Sequence, residues 1–210
     1  MIALIDYGMA NLRSVEQAFR AIGHEVTITS DAEIIAKADR VILPGVGAFG
    51  ACMSNLRDRG LEEPVKEFIE TGKPFLGICV GLQMLFETSS EMGNESGMSI
   101  LKGKVISFEE GGVSPSETGL KVPHIGWNSL TFPLESQLFK GMAAGSFVYF
   151  VHSYFPVPTD GICVTAECDY GVKFCCAIER DNLMATQFHP EKSGNVGLQI
   201  LRNFMAWKSV

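Results

Sequence analysis

Three side chains, far apart in this sequence, have the types that acyl transfer needs: a thiol at Cys79, an imidazole at His189 and a carboxylate at Glu191. A cysteine attacks a carbonyl carbon, a histidine takes its proton and later gives it to the leaving group, and a carboxylate holds the imidazole in the useful tautomer. Cys79 stands within Gly77-Ile78-Cys79-Val80-Gly81-Leu82-Gln83. The apolar run Pro74 to Ile78 reads as a buried strand, and Gly81 to Phe86 opens a helical pattern with Leu82, Leu85 and Phe86 on one face. A nucleophile on a sharp strand-to-helix turn is lifted above the sheet edge, and flanking glycines leave room for the tight backbone of such an elbow. A helix N-terminus also favours a thiolate over a thiol. The competing reading, a cysteine serving as a small buried hydrophobe, does not account for the strand, the glycines and the helix together. His189 and Glu191 are two apart in Gln187-Phe188-His189-Pro190-Glu191-Lys192-Ser193. In an extended segment that spacing puts both side chains on one side. Taken alone such a pair is common on surfaces; beside an elbow cysteine it completes a triad.

A tetrahedral intermediate needs N–H donors for its oxyanion. Val80, the residue after the nucleophile, is one expected donor, and the Val46-Gly47 peptide in the glycine-rich turn Pro44-Gly45-Val46-Gly47-Ala48-Phe49-Gly50 is the other. That turn is also an ordinary way to connect a strand to a helix. It lacks the GKS or GKT ending of a phosphate loop.

The elements that must position these groups alternate along the first half of the chain. Strands are expected at Ile2 to Ile5, Glu25 to Ile28 and Arg40 to Leu43. Helices are expected from Leu12 to Ile22, capped by Asn11 and stopped by Gly23, then over Asp31 to Ala38, Ala51 to Arg59 and Pro64 to Glu70. Such alternation predicts an α/β fold with a mixed, mostly parallel central sheet flanked by helices, its ligand site outside the carboxyl ends of the strands. After Thr88 the pattern changes. Polar loops at Met92 to Gly97 and Glu109 to Gly119 separate strand-like runs at Val105 to Phe108, Phe147 to Tyr154, Ile162 to Cys168, Phe174 to Glu179 and Leu183 to Phe188, which read as antiparallel additions in the C-terminal half. A closing helix carries Val196, Ile200, Leu201, Phe204 and Met205. Without repeats or a long linker, one domain over residues 1–210 is expected.

Composition narrows the class. With 46% hydrophobic and 20% charged residues, 210 residues suffice for a substantial core. The net charge of −7 and the lack of a basic stretch argue against nucleic-acid or anionic-membrane binding. None of the six cysteines forms a CxxC pair, and Cys175 and Cys176, adjacent in a strand, point to opposite faces. No metal and no cofactor is expected, and the cysteines read as free thiols of a reducing cytoplasm. The start Met1 to Asp6 has no basic n-region, and its apolar run is too short for a signal peptide or membrane span.

The stretches PGVG, GICVGLQ and FHPEKS resemble the three signatures of class I glutamine amidotransferases. Across the rest of the chain, DYGMANLRSV (Asp6 to Val15), VPHIGWN (Val122 to Asn128) and YFVHSY (Tyr149 to Tyr154) resemble the amidotransferase subunits of imidazole glycerol phosphate synthase. The resemblance implies hydrolysis of L-glutamine to glutamate, with ammonia passed to a cyclase subunit in a heterodimer serving histidine biosynthesis. It also implies that Gly45, Gly47, Gln83, His152, Ser153 and Tyr154 contact glutamine; for Gln83 a side-chain amide one helical turn after Cys79 also fits physically. By the same resemblance Pro123, Ile125, Trp127 and Asn128 face the cyclase, and Tyr149 and Lys192 lie near the ammonia exit. Ala10 departs from the usual glycine of the family and puts the geometry of its turn in question. An amidotransferase serving another synthase, such as a sugar-nucleotide-aminating one, shares the same catalytic residues, and a catalytically silent interaction module shares the fold.

Overall fold

The computed structural model describes residues 1–159 and 161–207. Five parallel strands and two antiparallel ones make the main sheet. β1 (Ile2–Ile5), β2 (Thr27–Thr29), β3 (Arg40–Gly45) and β4 (Phe75–Cys79) alternate with α1 (Leu12–Ala21), α2 (Ala32–Lys37), α3 (Phe49–Asp58) and α4 (Glu62–Glu70). Asn11 caps α1 by accepting from Ser14 N at 3.4 Å, and Gly23 follows its end with φ +84°. One apolar face turns each helix onto the sheet: Val15, Ala18 and Phe19 are the buried residues of α1, and Val65 and Phe68 those of α4.

After β4 come α5 (Val80–Gln83), β5 (Thr88–Ser89), β6 (Glu95–Ser96), β7 (Gly103–Ser107), α6 (Pro115–Thr118), β8 (His124–Ser129), β9 (Phe147–His152) and β10 (Tyr154–Pro158). A 3-10 turn at Gly161–Cys163 leads to β11 (Val164–Asp169), β12 (Lys173–Arg180) and β13 (Leu183–Thr186), and a second at Pro190–Lys192 leads to α7 (Gly194–Ala206). The seven-stranded sheet has the order β11-β12-β13-β4-β3-β1-β2; β13, β4, β3, β1 and β2 are mutually parallel, and β11 and β12 are antiparallel additions. A four-stranded sheet, β10-β7-β5-β6, and an antiparallel pair, β8-β9, complete the architecture.

β4 is the middle strand, and every one of its residues is buried. Registry does the rest of the positioning: Gly45 of β3 lies opposite Cys79, and Thr186 of β13 lies opposite Ile78. The carboxyl ends of three neighbouring strands therefore deliver the glycine-rich turn, the cysteine and the histidine segment to one place.

Several boundaries differ from the sequence reading. The run Phe147 to Tyr154 breaks at Ser153 into β9 and β10, which join different sheets. Residues Ile162 and Cys163 lie in the 3-10 turn before β11, and the strand expected to reach Phe188 ends at Thr186. β8, which carries the HIGWN stretch, gave no strand pattern because its faces are not apolar against polar; its burial alternates between His124 inside and Ile125 and Trp127 outside.

Candidate active site

The elbow is sharper than a strand running into a helix. Cys79 has φ +56° and ψ −112°, a conformation that L side chains rarely adopt and that costs on the order of 1–3 kcal/mol. The surroundings enforce it: a Cβ placed on Gly81 would stand 1.9 Å from the carbonyl oxygen of Leu43, so only glycine lets the turn press against β3. The helix expected over Gly81 to Phe86 is a single turn. Bonds from Leu85 N to Leu82 O at 3.2 Å and from Phe86 N to Gln83 O at 3.1 Å tighten and close it, and Val80 to Phe86 are buried on all sides. A segment buried on every side had imitated one face of a longer helix. Its dipole, a single turn long, offers Cys79 less support than expected.

His189 is held from both sides. Its N–H donates to Tyr149 O at 3.0 Å, and Ser193 Oγ donates to His189 O at 2.6 Å while accepting from Tyr149 N at 3.0 Å, which staples the segment to β9. Nδ1 of His189 meets Glu191 Oε1 at 2.7 Å, both side chains 2% exposed. The pairing comes from the 3-10 turn at Pro190–Lys192 rather than from extended alternation. With Nδ1 donating to the carboxylate, Nε2 is the nitrogen left to exchange a proton with the thiol: it holds the lone pair when the thiol is neutral and the proton when the sulfur is ionised, and it is buried with no hydrogen-bond partner of good geometry. Burial pulls the His189 pKa down, but the charge and hydrogen bonding of Cys79, helped by Glu191, outweigh it and carry the imidazole up to about 10. Cys79 is thus the natural partner of Nε2.

A cavity of about 270 Å³ opens at this point, lined by Val46, Gly47, Cys79, Val80, Gln83, Glu91, Pro123, Val151, His152, Ser153, Tyr154 and His189. It lies just under the about 300–1,000 Å³ of drug-sized sites, a size suited to one amino acid. Gly45 is not in the lining; it packs beneath, where a Cβ would meet Tyr7 Oη at 2.6 Å. Gln83 is 3% exposed, so it is no solvent-facing helix residue: its Nε2 donates to Tyr154 O and to Gln187 Oε1, both at 3.0 Å.

The oxyanion donors are in unequal condition. Val80 opens α5, where a first-turn N–H has no acceptor within the helix. In the glycine-rich turn, where Gly47 has φ +96°, the Val46 N–H donates to Met9 O at 2.9 Å, and the Val46 carbonyl accepts from Cys52 Sγ at 3.5 Å. The Val46 N–H is therefore turned away from the cavity, and the N–H of the Val46-Gly47 peptide is that of Gly47, which lines it; the Cys52 contact on the carbonyl of the same peptide ties down its orientation.

His152 joins the cavity to β8. Its Nδ1 lies 2.9 Å from Tyr154 O and its Nε2 3.2 Å from His124 Nδ1; His124 in turn stacks on Tyr170 at 3.9 Å. Because a carbonyl only accepts, His152 must donate through Nδ1, His124 must donate to His152, and His124 Nε2 must accept from Asn128 Nδ2 at 3.4 Å. Burial keeps both imidazoles neutral, lowering His124 to about 4 and His152 to about 3.

The expected partner-facing residues divide by face. Ile125 and Trp127 are 60% and 55% exposed, and Trp127, Tyr149 and Lys192 run together, the rings 6.1 Å apart and Lys192 Nζ 6.0 Å from the tyrosine ring. Phe147, also 55% exposed, extends this strip. Pro123 sits exposed at the cavity rim. Asn128 points the other way and is spent internally, donating to Asp169 O at 2.9 Å.

Two residues near the chemistry carried no flag in the sequence. Glu91 lines the cavity and accepts from Phe49 N at 2.6 Å; it lies in a polar loop that looks like any other. Gln187, fully buried, donates through Nε2 to Cys79 Sγ at 3.8 Å. The signal for Gln187 was a polar residue at the end of an otherwise apolar run.

Residues 3–207 match the model of the family described as glutamine amidotransferase class-I. The "Imidazole glycerol phosphate synthase subunit HisH" of Syntrophotalea carbinolica is 50% identical over 97% of this chain and 98% of its own length. The protein of the same name from Aquifex aeolicus is 51% identical over 96% of this chain and 94% of its own. Among solved structures, a glutamine amidotransferase superposes with a TM-score of 0.74 at 17% identity, covering 98% of this chain and 97% of that one, and PurLQS from Thermotoga maritima with 0.73 at 17%, covering 97% and 96%. At that identity the superpositions speak for the fold.

Proposed function

This chain belongs to the class I glutamine amidotransferase family, and on that premise we propose that Cys79, His189 and Glu191 hydrolyse the side-chain amide of L-glutamine. The chain is the glutaminase subunit of imidazole glycerol phosphate synthase, a reading carried by full-length relatives of that name at about 50% identity. It hands ammonia to the cyclase subunit, which makes imidazole glycerol phosphate and aminoimidazole carboxamide ribotide in histidine biosynthesis. We place it in the cytoplasm, where thiols such as the buried Cys52, Cys168, Cys175 and Cys176 stay reduced; among the described residues no helix is long and apolar enough to cross a membrane.

The observation that carries the chemistry is the His189–Glu191 bond of 2.7 Å with an unpaired Nε2 facing a cavity that holds a strained cysteine. His189 Nε2 takes the thiol proton and Cys79 Sγ attacks the amide carbon, forming a C–S bond and pushing the carbonyl electrons onto oxygen. Val80 N–H stabilises that oxyanion, joined by an N–H of the Val46-Gly47 turn once the bond to Met9 O is released. His189 protonates the nitrogen, the C–N bond breaks and ammonia leaves a γ-glutamyl thioester; water, activated by the same imidazole, then releases glutamate and restores the thiol. Glu91, the exposed-side carboxylate of the lining, suits the α-ammonium of the substrate, and Gln83, His152, Ser153 and Tyr154 shape its walls.

Since Val46 is tied to the surface turn that carries Met9 and Ala10, the isolated subunit is a slow glutaminase, and cyclase binding completes the oxyanion hole. The test is glutamate production by the chain alone and with a cognate cyclase and its nucleotide ligand, using Cys79→Ala as blank. Stimulation that the mutant loses is expected; activity indifferent to the cyclase would assign the subunit to another synthase.

A further inference from the structure

We propose that Gln187 is a positioning residue for Cys79: its side-chain N–H holds the sulfur and steers the thiol proton towards His189. The inference rests on Cys79 being the nucleophile. Gln187 sits between β13 and His189, with 0% exposure and its backbone N–H fixed on Cys176 O at 2.8 Å. A buried amide must be satisfied, and the orientation of this one is set at a distance. Tyr154 O accepts only, so the Gln83 group 3.0 Å away must be its NH₂ end. The second N–H of that end then reaches Gln187 at 3.0 Å, where it requires an oxygen. Gln187 is left with its Nε2 towards Cys79 Sγ, at 3.8 Å. Turning the Gln187 amide over would set donor against donor at Gln83, so the direction is locked without reference to the sulfur.

Two consequences follow for the reaction. In the neutral pair, a thiol sulfur that accepts from Gln187 has its own proton free to point elsewhere, and the unpaired nitrogen beside it is Nε2 of His189. Once that proton has moved, the same N–H stabilises the thiolate, a charge-assisted bond stronger than the one to the neutral thiol. Gln187 thereby acts on the nucleophile while Gln83, its partner, lines the cavity. A purely structural amide would fill volume and satisfy Gln83, and its loss would affect stability alone.

Gln187→Met keeps the length and removes the donor. Glutaminase kinetics of the complex with the cyclase and its nucleotide ligand should show kcat about 10- to 100-fold lower, the range of one hydrogen bond to a charged group, with KM within about twofold. Alkylation of Cys79 by iodoacetamide, read by mass spectrometry on its own peptide, should need higher pH in the variant. Equal kcat and an unmoved pH profile, or a loss of folded protein with an unmoved profile, would overturn the proposal. If Gln187→Met does not fold, the side-chain ¹⁵N–¹H₂ signals of Gln187 decide: in the wild type they should shift with pH in step with Cys79 alkylation and lose that response in Cys79→Ala, and signals blind to pH would overturn it. Full glutaminase activity in Cys79→Ala would sink the assignment of the nucleophile itself, whereas an inactive Cys79→Ala beside a normal Gln187→Met would sink only the role of Gln187.

Discussion

Cys79 at the end of β4 and His189 and Glu191 just beyond the neighbouring β13 have side chains almost wholly buried, while the Val46-Gly47 turn is partly exposed and bonded to another surface turn through Met9. The first region draws on the core for its geometry. Its backbone strain is held by close packing against β3, and Glu191, Ser193 and Gln187 hold His189 and Cys79 in place while His189 Nε2 is left unpaired. In the second region the Val46 N–H is occupied by a bond that water or a moving turn can replace. On the proposed reading the nucleophile and base are finished, and the means of stabilising charge is withheld. A subunit built this way keeps its thiol ready without releasing ammonia when no synthase is there to use it.

The contrast can be broken most sharply on the finished side. Cys79→Ala should lower glutaminase turnover in the complex by on the order of 10⁴-fold or more, measured as glutamate formed. It should also move His189: the imidazole, carried up to about 10 largely by Cys79, should titrate far lower in the mutant by NMR, because burial then acts with less opposition. The sign for stability follows. A folded pKa above the unfolded value of about 6.5 contributes fully below that pH and is lost as pH rises towards 10, so the wild type should lose stability across that window and Cys79→Ala should lose less. Glu191→Gln, which keeps the contact but not the charge, should cost up to about 10⁴-fold in kcat.

On the unfinished side the expected numbers are smaller. Adding the cyclase should raise glutamate production about a hundredfold, the typical worth of one oxyanion donor. Trp127→Ala should weaken cyclase binding by about 2 kcal/mol, roughly 30-fold in Kd, and leave the chain's own Tm unchanged, because the ring is exposed. Asn128→Ala, on the opposite face of β8, should do the reverse: destabilise the fold by about 0.5–1.5 kcal/mol through the lost bonds to Asp169 and His124, with a lesser effect on Kd.

The same contrast explains what could be read from the sequence. The elbow was legible because a nucleophile there imposes local demands, glycine at Gly81 and an apolar strand before it, within seven residues. The parallel part of the sheet was legible through alternation. The length of α5 was not, since residues buried on every side carry no facial pattern. Nor were the bonds from Gln187 to Cys79 and from Val46 to Met9: the first joins residues 108 apart, and the second is a main-chain bond indifferent to side-chain type. Asn128 shows a further limit. A motif placed it with Trp127, but strand alternation turns the two side chains to opposite faces.

One paired measurement separates the two regions directly: the rate of Cys79 alkylation by iodoacetamide and the rate of glutamate production, each with and without the cyclase and its nucleotide ligand. A nucleophile already complete and an oxyanion hole still closed predict alkylation nearly unchanged while glutamate production rises about a hundredfold. A parallel rise in both would mean that the cyclase activates the thiol, and that the finished half of the site is not finished.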